Sequence, residues 1–212
     1  MSIIKGTNIL LGISGGIAAY KSPQIVRKLK ELGANVQVVL SKNADEFVTK
    51  VTLQALSGTP VRQSLWDTDA EAAMSHIELA KWADLIIIAP ATANCISKLA
   101  NGQADDLIST IALATEAKIL IAPSMNQKMF SHPATQINLA RVKEFGYETV
   151  GPNSGLQACG DEGAGRMSEP DEIIESINSF LSSSQKQQKL SGLNVMVTAG
   201  PTRERLDPVR YI

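Results

Sequence analysis

The glycine-rich stretch from Ile9 to Lys21 constrains the fold more than any other part of the chain. It begins with an apolar run and continues through Gly12, Gly15 and Gly16 into a segment compatible with a helix. A strand, a tight turn and a helix in this order place the N–H groups of a helix N-terminus where they can bind an anion. The sequence therefore predicts a nucleotide phosphate site, with the alternative that the glycines serve only a tight turn.

The pattern of hydrophobic residues after this stretch predicts alternating strands and helices, as in an α/β domain. Continuous apolar runs such as residues 85–89 indicate parallel strands that are buried on both faces. Because a helix joins the first two strands, a right-handed parallel crossover is expected. We predict a three-layer, doubly wound parallel sheet of the flavodoxin or Rossmann type. The predicted strands are 9–13, 36–40, 85–89, 118–122 and 147–150, and the predicted helices are 17–32, 44–57, 94–100, 106–115, 135–145 and 170–181.

The chain divides into a long and a short part. At 212 residues it can form one α/β domain with a substantial core. We predict that residues 1–181 form this domain, that the polar residues 182–192 are a linker, and that residues 193–212 begin a second α/β unit without completing it. Five glycines in residues 151–168 predict a mobile loop. A loop of that length in a compact domain is more often functional than idle.

Charge and composition exclude several classes of protein. With 20 Lys and Arg against 21 Asp and Glu, the net charge is -1, so the chain lacks the basic excess of nucleic-acid-binding proteins. The N-terminal apolar run is too short to span a membrane, and we expect a cytoplasmic location. Cys95 and Cys159 are expected to be free thiols, and with two separate histidines they predict no metal site.

The residues after the second predicted strand discriminate between nucleotides. A dinucleotide site usually has a carboxylate there for the ribose hydroxyl, but this chain has Ser41 and Lys42. A hydroxyl and an amine suit a terminal phosphate better than a ribose. The pattern therefore favours a mononucleotide such as FMN over NAD, and it disfavours a nicotinamide-dependent dehydrogenase.

Small polar residues follow two further predicted strands, at the edge where open parallel sheets bind ligands. One alternative is that Asn94 and Asn126 only cap helices, and another is that Met125 and Met129 pack in the core. The residues are Thr92, Ala93 and Asn94 after the strand at 85–89, and Ser124, Met125 and Asn126 after the strand at 118–122.

His76 and Cys159 are the candidate reactive side chains. A lone histidine is more often structural or exposed than catalytic, so His76 has little weight by itself. Cys159 lies in the glycine-rich segment, where a thiol has little packing role. Cys95 and His132 are interpreted as a helix-start residue and a surface histidine.

Taken together, these stretches resemble the flavin-containing cysteine decarboxylase family, and within it the phosphopantothenoylcysteine decarboxylases of bacterial coenzyme A biosynthesis. The resemblance covers about residues 5–181. It depends on His76 and on the sequences GISGGIAAYK, PATAN, PSMNQKMF and ACGDEGAGRM. The final residues, AGPTRERLDPVRYI, resemble the start of the CTP-dependent ligase domain that accompanies such decarboxylases.

The resemblance implies FMN as the cofactor and 4'-phosphopantothenoylcysteine as the substrate. It implies oxidation of the cysteinyl thiol group, loss of CO2 to give an enethiol, and reduction to 4'-phosphopantetheine. His76 is implied as the acid/base residue of the early steps, Asn126 as the ligand of the substrate carboxylate, and Cys159 as the last proton donor. Further implied substrate contacts are Met125, Ala158, Gly160 and Met167, and the implied FMN contacts are Gly15, Gly16, Ile17, Ser41, Thr92, Ala93, Asn94 and Ser124.

The resemblance also implies a homo-oligomer, either a trimer or a dodecamer built from trimers, with sites between subunits. Two residues depart from the family pattern: Phe130 replaces a common Trp, and Arg205 replaces a usual Pro in the ligase segment. Two functions on the same fold remain as alternatives, a flavin prenyltransferase-like enzyme and a non-catalytic flavin-binding regulatory subunit. Neither requires His76 and Cys159 together, so their presence favours the decarboxylase.

Overall fold

A five-stranded parallel sheet forms the centre of the molecule. The structure, a computed structural model, describes residues 3–65 and 75–188. The strand order β2-β1-β3-β4-β5 is that of flavodoxin-like proteins, and β1 pairs in parallel with both β2 and β3. This order confirms the predicted doubly wound fold. The strands are β1 Asn8–Ile13, β2 Asn35–Leu40, β3 Leu85–Ala91, β4 Lys118–Pro123 and β5 Glu148–Thr149.

Helices cover both faces of the sheet and form two separate cores. Along β1, Ile9 and Leu11 pack into one core and Leu10 into the other, because successive side chains of a strand point to opposite faces. Residues of α1, α2 and α8 complete the first core, and residues of α3, α4, α5 and α7 complete the second. The helices are α1 Ser22–Glu31, α2 Lys50–Ser57, α3 His76–Trp82, α4 Ala93–Ala100, α5 Leu107–Ala114, α6 Gln127–Ser131, α7 Pro133–Glu144 and α8 Pro170–Gln188.

Two predicted helices near the N-terminus differ in their starts. The helix predicted at 17–32 begins as a 3-10 turn, Ile17–Lys21, before α1. The helix predicted from residue 44 begins only at Lys50, and turns occupy residues 42–47. Thr49 accepts a hydrogen bond from the Thr52 N–H and caps α2. This cap fixes the start of the helix at Lys50, although the apolar residues from 44 onward also have helical spacing.

The prediction of a mobile loop at 151–168 is wrong. This segment forms an antiparallel hairpin of β6 Asn153–Leu156 and β7 Glu162–Arg166. Its glycines allow close packing: a Cβ on Gly163 would overlap the Gln127 side chain, and one on Gly165 would overlap the carbonyl oxygen of Met125. At Gly163 and Gly165 the glycines therefore serve close approach of the hairpin to residues 125–127.

The C-terminal boundary differs from the predicted linker at 182–192. Helix α8 continues to Gln188, so most of the predicted linker is helical. The segment predicted to begin a second unit, residues 193–212 with Arg205, lies outside the described residues. Within residues 3–65 and 75–188, every helix is too short or too polar to cross a membrane.

Candidate active site

A cavity of about 1000 Å³ lies at the carboxyl ends of the strands. Its walls come from the turns after β1, β2, β3 and β4, from the start of α5 and from the β6–β7 hairpin. The switch point between β1 and β3 is where flavodoxin-like sheets bind ligands. The volume is at the upper end of the range for small-molecule sites, which is about 300 to 1,000 Å³.

The glycine turn after β1 forms one wall of the cavity. The N–H of Gly15 donates to Ser41 Oγ at 3.0 Å, and a Cβ on Gly15 would lie 2.8 Å from the carbonyl oxygen of Asn43. Only glycine therefore lets the turn lie this close to the residues after β2. A Cβ on Gly16 would lie 3.2 Å from Thr92 Cγ2, so the turn after β3 is nearly as close.

Ser14 joins the turns after β1 and β3. Its buried hydroxyl donates to the carbonyl oxygen of Pro90 at 2.7 Å and accepts from the N–H of Thr92 at 3.0 Å. Thr92 in turn caps α4 by accepting from the N–H of Cys95 at 3.4 Å. The alternative that Asn94 caps this helix is therefore wrong, and Asn94 lines the cavity instead.

These two turns fit the phosphate end of a mononucleotide. The 3-10 turn has Gly16 at its N-cap and receives no hydrogen bond from a capping side chain, so its first N–H groups can bind an anion. Ser41, Lys42 and Asn43 line the cavity beside the turn. Because only glycine fits at position 15, the turn after β1 stays close to these residues and its N–H groups remain on the cavity wall. Every FMN contact implied by the sequence, from Gly15 to Ser124, lines this cavity.

Asn126 has two functions at the start of α6. Its Oδ1 accepts from the N–H of Lys128 at 2.8 Å and caps the helix, as one alternative predicted. Its Nδ2 donates to Cys159 Sγ at 3.3 Å and to Asp161 Oδ2 at 2.8 Å. The amide thus faces the hairpin and lines the cavity. Met129 is half exposed, so the alternative that it is a core residue is wrong.

Gln157 fixes the hairpin against the residues after β4. Its side-chain amide donates to the carbonyl oxygen of Met125 at 3.3 Å and accepts from the N–H of Gln127 at 3.0 Å. The N–H of Met125 donates to the carbonyl oxygen of Gly165 at 2.9 Å. These contacts hold Cys159, at the turn of the hairpin, above Asn126.

Two lysines on the cavity wall are already paired with carboxylates. Lys21 is buried and donates to Glu169 Oε1 at 2.7 Å and to the carbonyl oxygen of Met167 at 3.2 Å. Lys98 Nζ lies 2.8 Å from both Asp105 Oδ1 and Asp106 Oδ2. The carboxylates balance the positive charges of the two lysines, and both lysines still line the cavity.

Burial and hydrogen bonding oppose each other at the second pair. Burial alone would raise the pKa of Asp106, but hydrogen bonds from Lys98 and Ser109 lower it below its usual value. Burial would lower the pKa of Lys98, but its hydrogen bonds to the two aspartates raise it. Burial raises the pKa of the Cys95 thiol to about 12, which leaves it protonated and inert.

Two residues implied by the sequence do not line the cavity. Gly160 belongs to the hairpin turn, with a φ of +87°. His76 begins α3, behind a capping box formed by Ser75 and Glu78. Helix α3 runs back to the start of β3, so His76 lies toward the edge of the sheet that carries the cavity but does not reach its wall.

The remaining implied substrate contacts, Met125, Ala158 and Met167, do line the cavity. Sequence reasoning missed the roles of Ser14, Gln157, Asp161 and the two paired lysines. Their positions in the sequence could have identified three of them. Ser14 lies within the glycine turn, and Gln157 and Asp161 are each two residues from Cys159. Among the described residues, no group of three His, Cys, Asp or Glu side chains is arranged to hold a metal ion.

Comparison with known proteins gives two family matches. Residues 2–182 match a family model described as Flavoprotein, and residues 190–212 match one described as DNA/pantothenate metabolism flavoprotein C-terminal domain. A curated relative from Haemophilus influenzae, the Coenzyme A biosynthesis bifunctional protein CoaBC, is 57% identical over 209 residues, which are 99% of this chain and 52% of that protein. The protein of the same name from Escherichia coli is 53% identical over 99% of this chain and 51% of its own length. The chain thus spans about half the length of these relatives.

Two solved structures are similar to this chain over most of its length. A Cys-to-Ser variant of a PPC decarboxylase complexed with pantothenoylaminoethenethiol has a TM-score of 0.75 and 31% identity, over 84% of this chain and 100% of that chain. The FMN binding protein AtHal3 has a TM-score of 0.73 and 32% identity, over 84% of this chain and 98% of its own.

Proposed function

Because the chain belongs to the flavoprotein family, we propose that it binds FMN in this cavity and decarboxylates 4'-phosphopantothenoylcysteine to 4'-phosphopantetheine for coenzyme A biosynthesis. The observation that carries the proposal is that one cavity holds the glycine turn, Asn126 and Cys159 together. The similarity to a PPC decarboxylase and to an FMN-binding protein supports the same substrate and cofactor.

The turns after β1, β2 and β3 hold FMN in this proposal. The N–H groups after Gly16, with Ser41 and Lys42, bind its phosphate, and Thr92 to Asn94 with Ser124 lie along the ring. When bound, FMN supplies the oxidation of the substrate thiol group and returns the electrons to the decarboxylated product. The hairpin covers the cavity and excludes water from the substrate.

Asn126 and Cys159 act on the substrate itself. Asp161 accepts one N–H of Asn126 Nδ2, and the other N–H is directed at Cys159 Sγ at 3.3 Å. This second N–H lies beside the cavity and can donate to the substrate carboxylate when the substrate replaces the sulfur as its acceptor. Cys159 donates the proton that completes reduction of the enethiol carbon. General acid catalysis is typically worth about 10²- to 10⁴-fold in rate.

His76 acts from a neighbouring subunit in this proposal. It does not reach the cavity wall of its own chain, yet it lies toward the same edge of the sheet. A homo-oligomer with sites between subunits, either a trimer or a dodecamer built from trimers, brings His76 to the adjacent cavity. There His76 takes and returns protons in oxidation and decarboxylation. In the full-length protein a ligase domain follows, and the enzyme works in the cytoplasm.

The extents of the two family matches support a division of the chain into two domains. The decarboxylase domain occupies residues 1–181, and the ligase domain starts at residue 193, after a connecting segment at 182–192. The first match ends at residue 182 and the second begins at residue 190.

Two alternative functions on the same fold are a prenyltransferase-like enzyme and a regulatory subunit. Neither has a use for a thiol hydrogen-bonded to Asn126.

Two variants test the roles of the reactive residues. Cys159→Ser is expected to oxidise and decarboxylate the substrate but to stall at the enethiol, because the serine hydroxyl is a much weaker acid. His76→Asn is expected to lose the early steps, so neither CO2 nor enethiol forms. Mass spectrometry of the products separates these outcomes. Normal 4'-phosphopantetheine formation by Cys159→Ser would refute the assignment.

A further inference from the structure

A carboxylate lies behind the two cavity residues that contact the substrate in the proposed function. Asp161 Oδ2 accepts from Asn126 Nδ2 at 2.8 Å and from Cys159 Sγ at 3.5 Å, and Nδ2 and Sγ are themselves 3.3 Å apart. The three groups form a closed triangle. Asp161 is not part of the cavity wall, whereas Asn126 and Cys159 are.

The carboxylate fixes the orientation of the Asn126 amide. Oδ1 of Asn126 already accepts from the N–H of Lys128 at 2.8 Å, so the amide is held at both ends. A flipped amide would lose the helix cap and would point an oxygen at a carboxylate. Hydrogen bonds to a charged acceptor are roughly twice as strong as neutral ones, so Asp161 keeps the N–H groups of Asn126 directed at the hairpin side of the cavity.

The same carboxylate restrains the thiol. Cys159 is exposed at a hairpin turn, where a side chain can otherwise exchange between staggered rotamers. Its Sγ has Asp161 Oδ2 at 3.5 Å as an acceptor, and the next acceptor, Gln157 Oε1, is more distant at 3.9 Å. Asp161 therefore selects the rotamer in which Sγ lies beside the Asn126 amide.

Asp161 is ionised under working conditions. Hydrogen bonds from Asn126 and Cys159, together with the nearby charge of Lys128, hold the pKa of its carboxyl below the usual value. An ionised carboxylate accepts hydrogen bonds and donates none, so the direction of every bond in the triangle is set.

We propose that Asp161 is a positioning residue of the decarboxylase reaction. By accepting one N–H of Asn126, it leaves the second N–H for the substrate carboxylate, and by holding Cys159 Sγ beside that N–H it keeps the thiol next to the bound substrate. The inference rests on the proposed function, but it assigns to Asp161 a role that acts through its two neighbours. Because a displacement of about 1 Å can cost about 10²-fold in rate, loss of this restraint should slow turnover by about 10- to 100-fold.

The test compares Asp161→Asn with Glu162→Gln in the FMN-loaded protein. Both remove one carboxylate from the same hairpin, but Glu162 is exposed and is not one of the three groups of the triangle. We expect Asp161→Asn to lower kcat by about 10- to 100-fold, to raise KM for 4'-phosphopantothenoylcysteine and to release enethiol beside the normal product. Glu162→Gln should match the wild type, and Asp161→Glu, which keeps the charge, should recover part of the rate.

Two readouts separate positioning from a general structural effect. In the Cys159→Ser background, Asp161→Asn should still slow CO2 release, because Asn126, the other residue that Asp161 holds, is present. In FMN-free protein, iodoacetamide should alkylate Cys159 several-fold faster in Asp161→Asn, because the charged acceptor that restrains Sγ beside Asn126 is gone. Wild-type rates and alkylation in Asp161→Asn would overturn the inference. Failure of the wild type to release CO2 in the same assay would instead overturn the proposed function.

Discussion

The substitution Gly165→Ala tests whether docking of the hairpin creates the substrate site. The added Cβ would overlap the carbonyl oxygen of Met125 and lie 2.6 Å from Gln157 Nε2. Because Met125 O belongs to backbone at the end of β4, the overlap is relieved only if the hairpin lifts. Gly155→Ala is a matched control, since its φ of +147° equals the +145° of Gly165 and its Cβ would meet only the flexible end of Arg166 at 3.0 Å.

The difference in activity between the two variants measures the effect of the overlap between the added Cβ and the Met125 carbonyl oxygen. Both carry the strain of a non-glycine residue at positive φ, about 1 to 3 kcal/mol. Only Gly165→Ala also breaks the three hydrogen bonds by which Gly165 and Gln157 dock the hairpin on Met125 and Gln127, which are worth about 0.5 to 1.5 kcal/mol each. The sum, about 1.5 to 4.5 kcal/mol, corresponds to a population of docked hairpin that is lower by about 10- to 2,000-fold.

The assay measures kcat/KM for 4'-phosphopantothenoylcysteine beside the FMN content of each variant. We expect Gly165→Ala to fall at least tenfold below Gly155→Ala while both retain FMN, because the glycine turn and the hairpin are separate elements. Limited proteolysis should cut the hairpin faster in Gly165→Ala. Equal activity in the two variants, or loss of FMN from Gly165→Ala alone, would refute the reasoning.

Three further predictions concern the cavity wall. Ser14→Ala leaves the buried N–H of Thr92 without its acceptor and should destabilise the protein by about 1 to 3 kcal/mol in calorimetry; an unchanged melting temperature would contradict the network. Asp106→Asn should lower the melting temperature at pH 7, and the difference should vanish as the pH falls well below 3.8, because the charge of a carboxylate with a lowered pKa stabilises only above that range. At pH 8, iodoacetamide should modify Cys159 and spare Cys95, whose pKa is about 12; modification of both at similar rates would show that Cys95 is not buried.

The sequence predicted the sheet and most of the cavity because local patterns determine both. Apolar runs identify buried parallel strands, and parallel strands bring the residues that follow them to one edge. Thr92 and Asn126, more than 30 positions apart in the chain, thus meet in one cavity. The strand bounds differ from prediction by one or two residues.

The hairpin could not be predicted in the same way. Its strands carry Gly155, Gly163 and Gly165 in place of an alternating apolar pattern, so neither helix nor strand periodicity is present. The glycines are explained by contacts with Met125 and Gln127, which are distant in sequence. The bridging role of Gln157 has the same cause, because a side chain that pairs with distant backbone leaves no local pattern.

Anaerobic mixing of the FMN-loaded protein with 4'-phosphopantothenoylcysteine tests the central claim most directly. Stopped-flow absorbance follows the flavin, and trapped CO2 is measured in the same samples. The account predicts transient bleaching of the flavin absorbance, then its recovery, with one CO2 released for each 4'-phosphopantetheine formed. Binding of the substrate without bleaching and without CO2 would contradict it.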